Sequence, residues 1–310
     1  MPIIGSFGAG SKGGYGRGGA APVDVNYLVV AGGGGNGSSY NSGGAGGYRT
    51  SFPGGTQITM NGGEVYPVTV GSTDTDSSFS TITSTKGGRA NTSTTQTPGS
   101  GGSGAGKFGA PGTSGLPGNV GGYSPPEGNS GGVGCEPGAA CVENSGGGGG
   151  AGGSGGNGSC AANPGGPGGA GGIGAGIPDT FVPNSYGTPG PSPTLRYFAG
   201  GGAGYSHGTC GNPSGTNPPS VGGGGRGRYE NVCSCGNPGG SPVSATPGTV
   251  NTGGGVGGQG PGTGGGSGIV VINAPSSANF TVTPGTNTVA TAPDGNKVAI
   301  FTVSGTIVNK

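Results

Sequence analysis

The chain has 310 residues and a formal net charge of +1, and its composition is dominated by 90 glycines and 27 prolines. Only 7% of the residues are charged. The lysines and arginines form no cluster of the kind that nucleic acids or anionic membranes attract, so the sequence favours no nucleic-acid partner and no membrane insertion. So much glycine and proline is typical of disordered chains, and it disfavours α-helix throughout.

The first 22 residues are punctuated by glycine, and we interpret them as an extended N-terminal attachment arm. They contain no apolar segment of signal-peptide length. The first clear strand follows at 23–31, where VDVNYLVVA is β-branched and partly alternating. Further strands are predicted at 57–60 and 64–70, and the Asn61-Gly62 pair between them predicts a hairpin turn.

Two stretches of the glycine-rich region show a repeat of three residues. Residues 149–157 read GGAGGSGGN and residues 165–173 read GGPGGAGGI. This period fits neither an α-helix nor a strand, but it matches the extended left-handed helix of the polyproline II type. Collagen has the same period, but it needs glycine at every third position over long runs, and here the phase breaks, for example at 181–186.

When two of three residues are glycine, two edges of such a helix carry no side chain. Neighbouring helices can then approach closely and pair N–H with C=O. The sequence therefore predicts an irregular, all-β domain over residues 23–273. We expect a sandwich of polyglycine II helices framed by short β-strands, with essentially no α-helix. Gly168 and Gly169 are the positions where we expect such contacts to be essential.

The apolar strand at 268–273 (GIVVIN) is predicted to be buried and to pair with Tyr27–Val30. The structural residues of this pairing are predicted to be Tyr27, Val29, Ile269 and Val271. Residues 274–310 are predicted to form a small C-terminal β-strand unit of three or four strands that packs against the rest of the protein. The non-glycine insertions are interpreted as loops at the two ends of a slab, at 116–126, 135–144, 178–198, 205–221 and 226–249.

The six cysteines all fall in the glycine-rich region: Cys135, Cys141, Cys160, Cys210, Cys233 and Cys235. They are disulfide candidates, and a local Cys135–Cys141 bridge is one plausible pairing among many. Free thiols are the alternative. A metal site is disfavoured because no CxxC motif occurs and His207 is the only histidine.

No constellation of catalytic residues is recognisable. His207 has no nucleophile and carboxylate that can be assigned to it, and glycine runs with GxGxxG spacing follow no strand–helix pattern. Asp74 and Asp76 lack the remainder of a calcium loop. We therefore expect no enzyme activity, no cofactor and no metal.

The candidate binding residues are loop tyrosines flanked by small polar residues, a mixture that is typical of binding surfaces. They are Tyr123, Tyr186, Tyr197, Tyr205 and Tyr229. The densest basic spot, Arg226 and Arg228, is interpreted as part of a loop at the tip. The alternative for the tyrosines is that they cover the edges of the slab and keep only their hydroxyl groups in water.

Five motifs carry a family resemblance: YLVVAGGG, GGAGGYRT, VTVG, NTGGG and GGSGIVVI, at 27–34, 43–50, 68–71, 251–255 and 265–272. In this order they resemble the glycine-rich-domain proteins of bacteriophage virions, over roughly residues 23–273. The resemblance implies a structural or adhesin role in tail fibres, where polyglycine helices carry variable loops that bind the host surface. The cysteines and the C-terminal β-unit depart from that pattern.

From this resemblance we expect a non-enzymatic virion appendage protein, made in the host cytoplasm and acting outside cells, where disulfides persist. The expected partners are other virion proteins, further copies of the chain and a host cell-surface receptor. The alternative is a purely structural, self-assembling fibre or a capsid or tail decoration protein without receptor binding. An ice-binding role is disfavoured, because it would require a secretion signal, which the sequence lacks, and a regular row of small residues, which is repeatedly interrupted here.

Overall fold

The computed structural model describes residues 20–35, 40–90, 99–109, 115–135, 144–160, 167–208, 218–231, 242–259, 264–292 and 294–310. Most of the predicted N-terminal arm lies outside these ranges. Within them the protein is all-β and has no helix, which confirms the fold class at this level. The strands are β1 (Val23–Val30), β2 (Tyr48–Thr50), β3 (Ile58–Met60), β4 (Val65–Thr69), β5 (Ser77–Phe79), β6 (Ile82–Ser84), β7 (Ala175–Pro178), β8 (Leu195–Phe198), β9 (Ser206–Gly208), β10 (Tyr229–Asn231), β11 (Ile269–Ala274), β12 (Phe280–Thr283), β13 (Thr288–Thr291), β14 (Lys297–Phe301) and β15 (Gly305–Asn309).

The larger sheet has the strand order β13-β14-β11-β1-β2, and β3 also pairs with β1. Strands β1 and β11 are antiparallel, with Tyr27 opposite Ile272 and Val30 opposite Ile269. The pairing predicted between these two segments is therefore confirmed. It brings the two ends of the glycine-rich region together.

A second sheet, with the order β12-β15-β4-β5-β6, packs against one face of the first. Tyr27 and Val29 of β1 lie in the core between the two sheets, together with Phe79, Phe280 and Phe301. Aromatic rings contribute strongly to such a core because each removes a large apolar area from water.

The hairpin predicted at Asn61-Gly62 is wrong. Strand β3 pairs with β1, whereas β4 pairs with β15 and β5, so the two strands belong to different sheets. The turn carries the chain from one layer to the other. Gly63 has a φ of 75° there, a conformation that favours glycine.

The opposite face of the larger sheet packs against the glycine-rich region. Leu28 and Val30 of β1 and Ile269 and Val271 of β11 form a second core with Phe198 of β8. All six residues of β11 are buried, because both faces of that strand meet a core. This accounts for the unbroken apolar run in its sequence.

The C-terminal strands are divided between the two sheets. Strands β13 and β14 extend the larger sheet, and β12 and β15 belong to the smaller one. Hydrogen bonds of β14 to β11 and of β15 to β4 join residues 274–310 to the preceding part of the chain. The division of the chain into three segments stays a prediction.

Backbone hydrogen bonds link the glycine-rich segments in three directions. Three consecutive amides donate to three different neighbouring segments. These bonds run from Gly147 N to Gly156 O at 2.9 Å, from Gly148 N to Gly202 O at 2.8 Å and from Gly149 N to Gly104 O at 2.8 Å.

The same neighbours recur three residues along the chain. Gly148 and Ala151 both donate to the segment at 199–202, with acceptors three residues apart. Gly146 and Gly149 likewise both donate to the segment at 104–107. The segments run in both directions, because the amides of 200 and 203 donate to 222 and 225 in parallel order, whereas those of 148 and 151 donate to 202 and 199 in antiparallel order.

Separate segments of the glycine-rich region meet at one of its ends. We refer to this as the loop end. It is connected by the bridges Ser42–Gly106, Phe108–Ser145, Cys135–Asn144, Asn144–Ser206 and Tyr229–Val243 and by the parallel pair of β9 and β10. The two large sheets lie at the opposite end, where β1 leads into the region and β11 leaves it.

Candidate functional site

Two of the predicted binding tyrosines lie at the loop end, but they are buried. Tyr205 is 1% exposed and Tyr229 is 3% exposed. The ring of Tyr205 packs on that of Tyr40 with centroids 4.6 Å apart, and its hydroxyl donates to the Glu230 carboxylate at 2.9 Å. These contacts hold the segments of the loop end together, so neither ring offers a surface for a ligand.

The two predicted arginines lie beside them. Arg228 forms an ion pair with Glu230. Arg226 is half-buried, and its backbone N–H donates to the Thr246 hydroxyl at 2.8 Å. The Glu230 carboxylate therefore interacts with both Arg228 and the Tyr205 hydroxyl, and this ion pair is part of the packing of the loop end.

The remaining tyrosines lie away from the loop end. Tyr197 is 8% exposed, and its backbone exchanges two hydrogen bonds with Thr188. Tyr186 is half-buried at the margin of the second core. Tyr123 is half-exposed and lies under the guanidinium group of Arg49, which is 3.8 Å from the ring centroid. The structure therefore does not bring the predicted binding residues together, and burial excludes three of the five tyrosines from a surface site.

A disulfide crosslinks the loop end. Cys135 is bonded to Cys160, with Cα atoms 5.3 Å apart, so the suggested local bridge to Cys141 is wrong. The two residues precede the chain at 136–143 and at 161–166 respectively. Closing a loop of 25 residues typically adds about 2–4 kcal/mol of stability. Cys141, Cys210, Cys233 and Cys235 lie outside the described residues.

A cleft of about 540 Å³ opens where the edge strand β2 meets the glycine-rich segments. We refer to it as the Arg49 cleft, after the one charged residue in its lining. Tyrosine, proline and small apolar side chains form its walls, including Tyr27, Tyr48, Pro125, Pro126 and Ala151. Burial raises the pKa of the Tyr48 hydroxyl. Burial also raises the pKa of Tyr27, against the opposing effect of the Arg49 charge.

Arg49 is held in place from two sides. One of its terminal nitrogens donates to the Thr83 carbonyl at 2.8 Å, and its plane lies over Tyr123. The ion pairs among the described residues are Arg89–Asp74 and Arg228–Glu230, and neither includes Arg49.

Glu127, directly after the two prolines of the cleft, is fully buried. One carboxylate oxygen accepts from the Thr85 N–H at 2.9 Å and from the Ser84 hydroxyl at 3.3 Å. The other oxygen has no hydrogen-bond partner among the described residues. Burial raises the pKa of Glu127, although these hydrogen bonds and the charge of Arg49 lower it in part.

Comparisons with protein-family models, curated proteins and solved structures gave no match. In the parts of the chain that the structure describes, no helix has the length and apolar character needed to cross a membrane. The geometry of the chain's own residues therefore carries the functional argument.

The described residues contain no cluster of three or more His, Cys, Asp or Glu that could hold a metal ion. Asp74 accepts from the Gly35 N–H and pairs with Arg89, whereas Asp76 accepts from the Lys86 N–H. His207 lies in β9 at the loop end.

Sequence reasoning missed Arg49, Tyr48 and Glu127. Arg49 and Tyr48 fall within the motif GGAGGYRT, which was interpreted only through its resemblance to a family. Glu127 is a single acid in a polar stretch, and its burial depends on the distant segment at 84–85. The sequence separation of Glu127 from Tyr48 and Arg49 gives no sign that they lie near one another, because they come together through the packing of separate segments.

Proposed function

We propose that this protein is a non-enzymatic bacteriophage virion appendage protein, a tail fibre or adhesin, that presents its loop end to the host cell surface. The observation that carries the proposal is the network of backbone bridges that joins separate chain segments at the loop end. A rigid scaffold of this kind is suited to recognition, since binding residues are commonly placed on loops held by a scaffold.

The rigid body in this proposal is a sandwich of polyglycine II helices. It is supported by the recurrence of hydrogen-bond partners every three residues, which is the period of that helix. It is also supported by the mixture of parallel and antiparallel neighbours. A helix with donors in three directions accepts neighbours of either polarity, whereas a β-strand pairs only along two edges.

The disulfide supports an extracellular setting. Cys135–Cys160 crosslinks two segments of the loop end, and such crosslinks persist outside the reducing cytoplasm. The family resemblance of the glycine motifs points to the virion as that setting, with other virion proteins, further copies of the chain and a host receptor as partners.

The test is the binding of fluorescently labelled protein to intact candidate host cells and to non-host cells. In one variant, residues 209–217 and 232–241 are exchanged for unrelated sequences of equal length, while Tyr205 and Tyr229 are kept. The control variant has the same kind of exchange at residues 189–193, which lie away from the loop end.

We expect selective binding to host cells that is lost in the loop-end variant and kept in the control. Binding that is unchanged by the loop-end exchange would contradict the proposed recognition surface. No binding to any host, together with regular fibres in electron micrographs of the same sample, would instead assign the protein to the purely structural class.

A further inference from the structure

We propose that the Arg49 cleft is a second, separate binding site, for a sugar that carries a carboxylate group. The cleft lies at the sheet end, away from the loop end, and it does not depend on the proposed virion role. The argument rests on the shape of the cleft, on the charge of Arg49 and on the hydroxyl groups around it.

The size and lining of the cleft suit one or two sugar units. Its volume of about 540 Å³ falls within the range of small-molecule sites. Tyr48, Pro125 and Pro126 supply flat or rounded apolar surfaces, and Ala151 leaves space beside them. Such surfaces match the apolar C–H faces of a sugar ring, while the rims carry groups that can hydrogen-bond its hydroxyls.

Arg49 supplies the charge that selects the ligand. Its guanidinium group is fixed by the Thr83 carbonyl and the Tyr123 ring, and neither of these contacts neutralises it. An arginine has five N–H donors in a planar fork that fits a carboxylate. Because it is already held in place, little side-chain entropy remains to be lost when an anion binds.

A single cation also limits the class of ligand. The lining contains no lysine and no second arginine, so a polyanion such as a nucleic acid would find only one positive charge. One carboxylate on an otherwise neutral, hydroxyl-rich molecule fits these conditions best.

The hydroxyl groups of the lining complete the site. Tyr27 and Tyr48 keep their protons at neutral pH because burial raises the pKa of both. Thr56 is exposed at the rim and Ser124 lies beside the prolines. Together they provide both donors and acceptors, as the alternating hydroxyls of a sugar require.

The test is a titration of the full chain with sugars, in which binding is measured by ligand-observed NMR and by calorimetry. The probes are glucuronate, galacturonate and sialic acid, each as a monomer and as a short oligomer, with glucose, galactose and inorganic phosphate for comparison. The variants are Arg49→Gln, which removes the charge, and Thr56→Trp, which fills the rim and leaves Arg49 in place. Arg89→Gln, at an exposed arginine away from the cleft, is the matched control.

We expect at least one acidic sugar to bind with clear preference over its neutral counterpart. Arg49→Gln should weaken that binding by about tenfold or more, the usual effect of losing a charge-assisted hydrogen bond, and Thr56→Trp should also weaken it. Arg89→Gln should leave it unchanged. Thermal melting of each variant separates loss of binding from loss of fold.

Three outcomes would overturn the inference. They are the absence of binding by every acidic sugar, equal binding of acidic and neutral sugars, and binding that both cleft variants leave intact. Tighter binding of phosphate than of any sugar would assign the cleft to a different anion. The loop exchanges leave the cleft untouched. A failure to bind acidic sugars and a failure to bind host cells are therefore separate results.

Discussion

Gly169 shows at the scale of one residue why side chains are excluded from the glycine-rich region. Its N–H donates to the Ser145 carbonyl at 2.7 Å, and the preceding Gly168 N–H donates to the Ser206 hydroxyl at 2.8 Å. A Cβ atom at Gly169 would overlap the carbonyl oxygen of Gly156 and the backbone nitrogen of Gly147. Both obstacles are backbone, so no change of rotamer relieves the overlap.

We predict that Gly169→Val lowers the free energy of unfolding by more than about 2 kcal/mol, because the segments must separate to admit the side chain. The measurement is chemical denaturation followed by circular dichroism. Gly153→Ala is the control, since a Cβ there would meet only Ile173, with its nearest atom at 3.2 Å. Equal midpoints for the two variants would contradict the close packing at Gly169.

Glu127 gives a prediction for the dependence of stability on pH. Its folded-state pKa lies above the ordinary value of 4.5 because burial disfavours the charged form, so no charge is desolvated while the carboxyl group is protonated. As the pH rises above 4.5 and through the raised pKa, the unfolded chain ionises more readily than the folded one. Wild-type stability should therefore fall relative to that of Glu127→Gln.

Unfolding free energies of the two proteins between about pH 4 and 8 test this linkage. The control is Glu64→Gln. Hydrogen bonds from Asn61 and Tyr66 lower the pKa of exposed Glu64, so its contribution has the opposite sign and is lost as the pH falls. Parallel curves for wild type and Glu127→Gln would contradict the buried, desolvated carboxyl group.

At the scale of elements, strands and glycine-rich segments differ in how many directions their amides face. Among the described residues, strand β13 pairs with β14 alone, so alternate amides along it point away from its partner. Along 147–149, by contrast, every amide has a partner in a different segment. The glycine repeat in the sequence and the recurrence of hydrogen-bond partners therefore have the same period of three residues.

Amide-resolved hydrogen exchange tests this difference. We predict slow exchange at all three of Gly147, Gly148 and Gly149, since each N–H is bonded within the protein. Along β13 we predict alternation of slow and fast exchange, which serves as the internal control. Alternation within 147–149 would show that this segment is an ordinary edge strand.

At the scale of the whole molecule, the two ends have different characters. The sheet end is held by two apolar cores, whereas the loop end is held by backbone bridges, the contact of the Tyr40 and Tyr205 rings and the Cys135–Cys160 disulfide. The proposed host-recognition surface and the proposed sugar site lie at opposite ends. The two experiments above therefore test different parts of the protein.

The sequence by itself determined the features that depend on neighbouring residues. The glycine content excluded helices, the unbroken apolar run at 269–272 marked a strand buried on both faces, and its partner at 27–30 was identified from the same pattern. These predictions succeed because local composition limits the backbone conformations and the burial that are available.

Only the tertiary structure decided which distant residues meet. It buried Tyr205 and Tyr229, paired Cys135 with Cys160 and placed β3 and β4 in different sheets. It also assembled the Arg49 cleft from strand, loop and glycine-rich segments. Segments that carry little side-chain information are ordered by backbone hydrogen bonds, and those bonds are nearly the same for every glycine. The order in which the segments pack is therefore fixed by the whole chain.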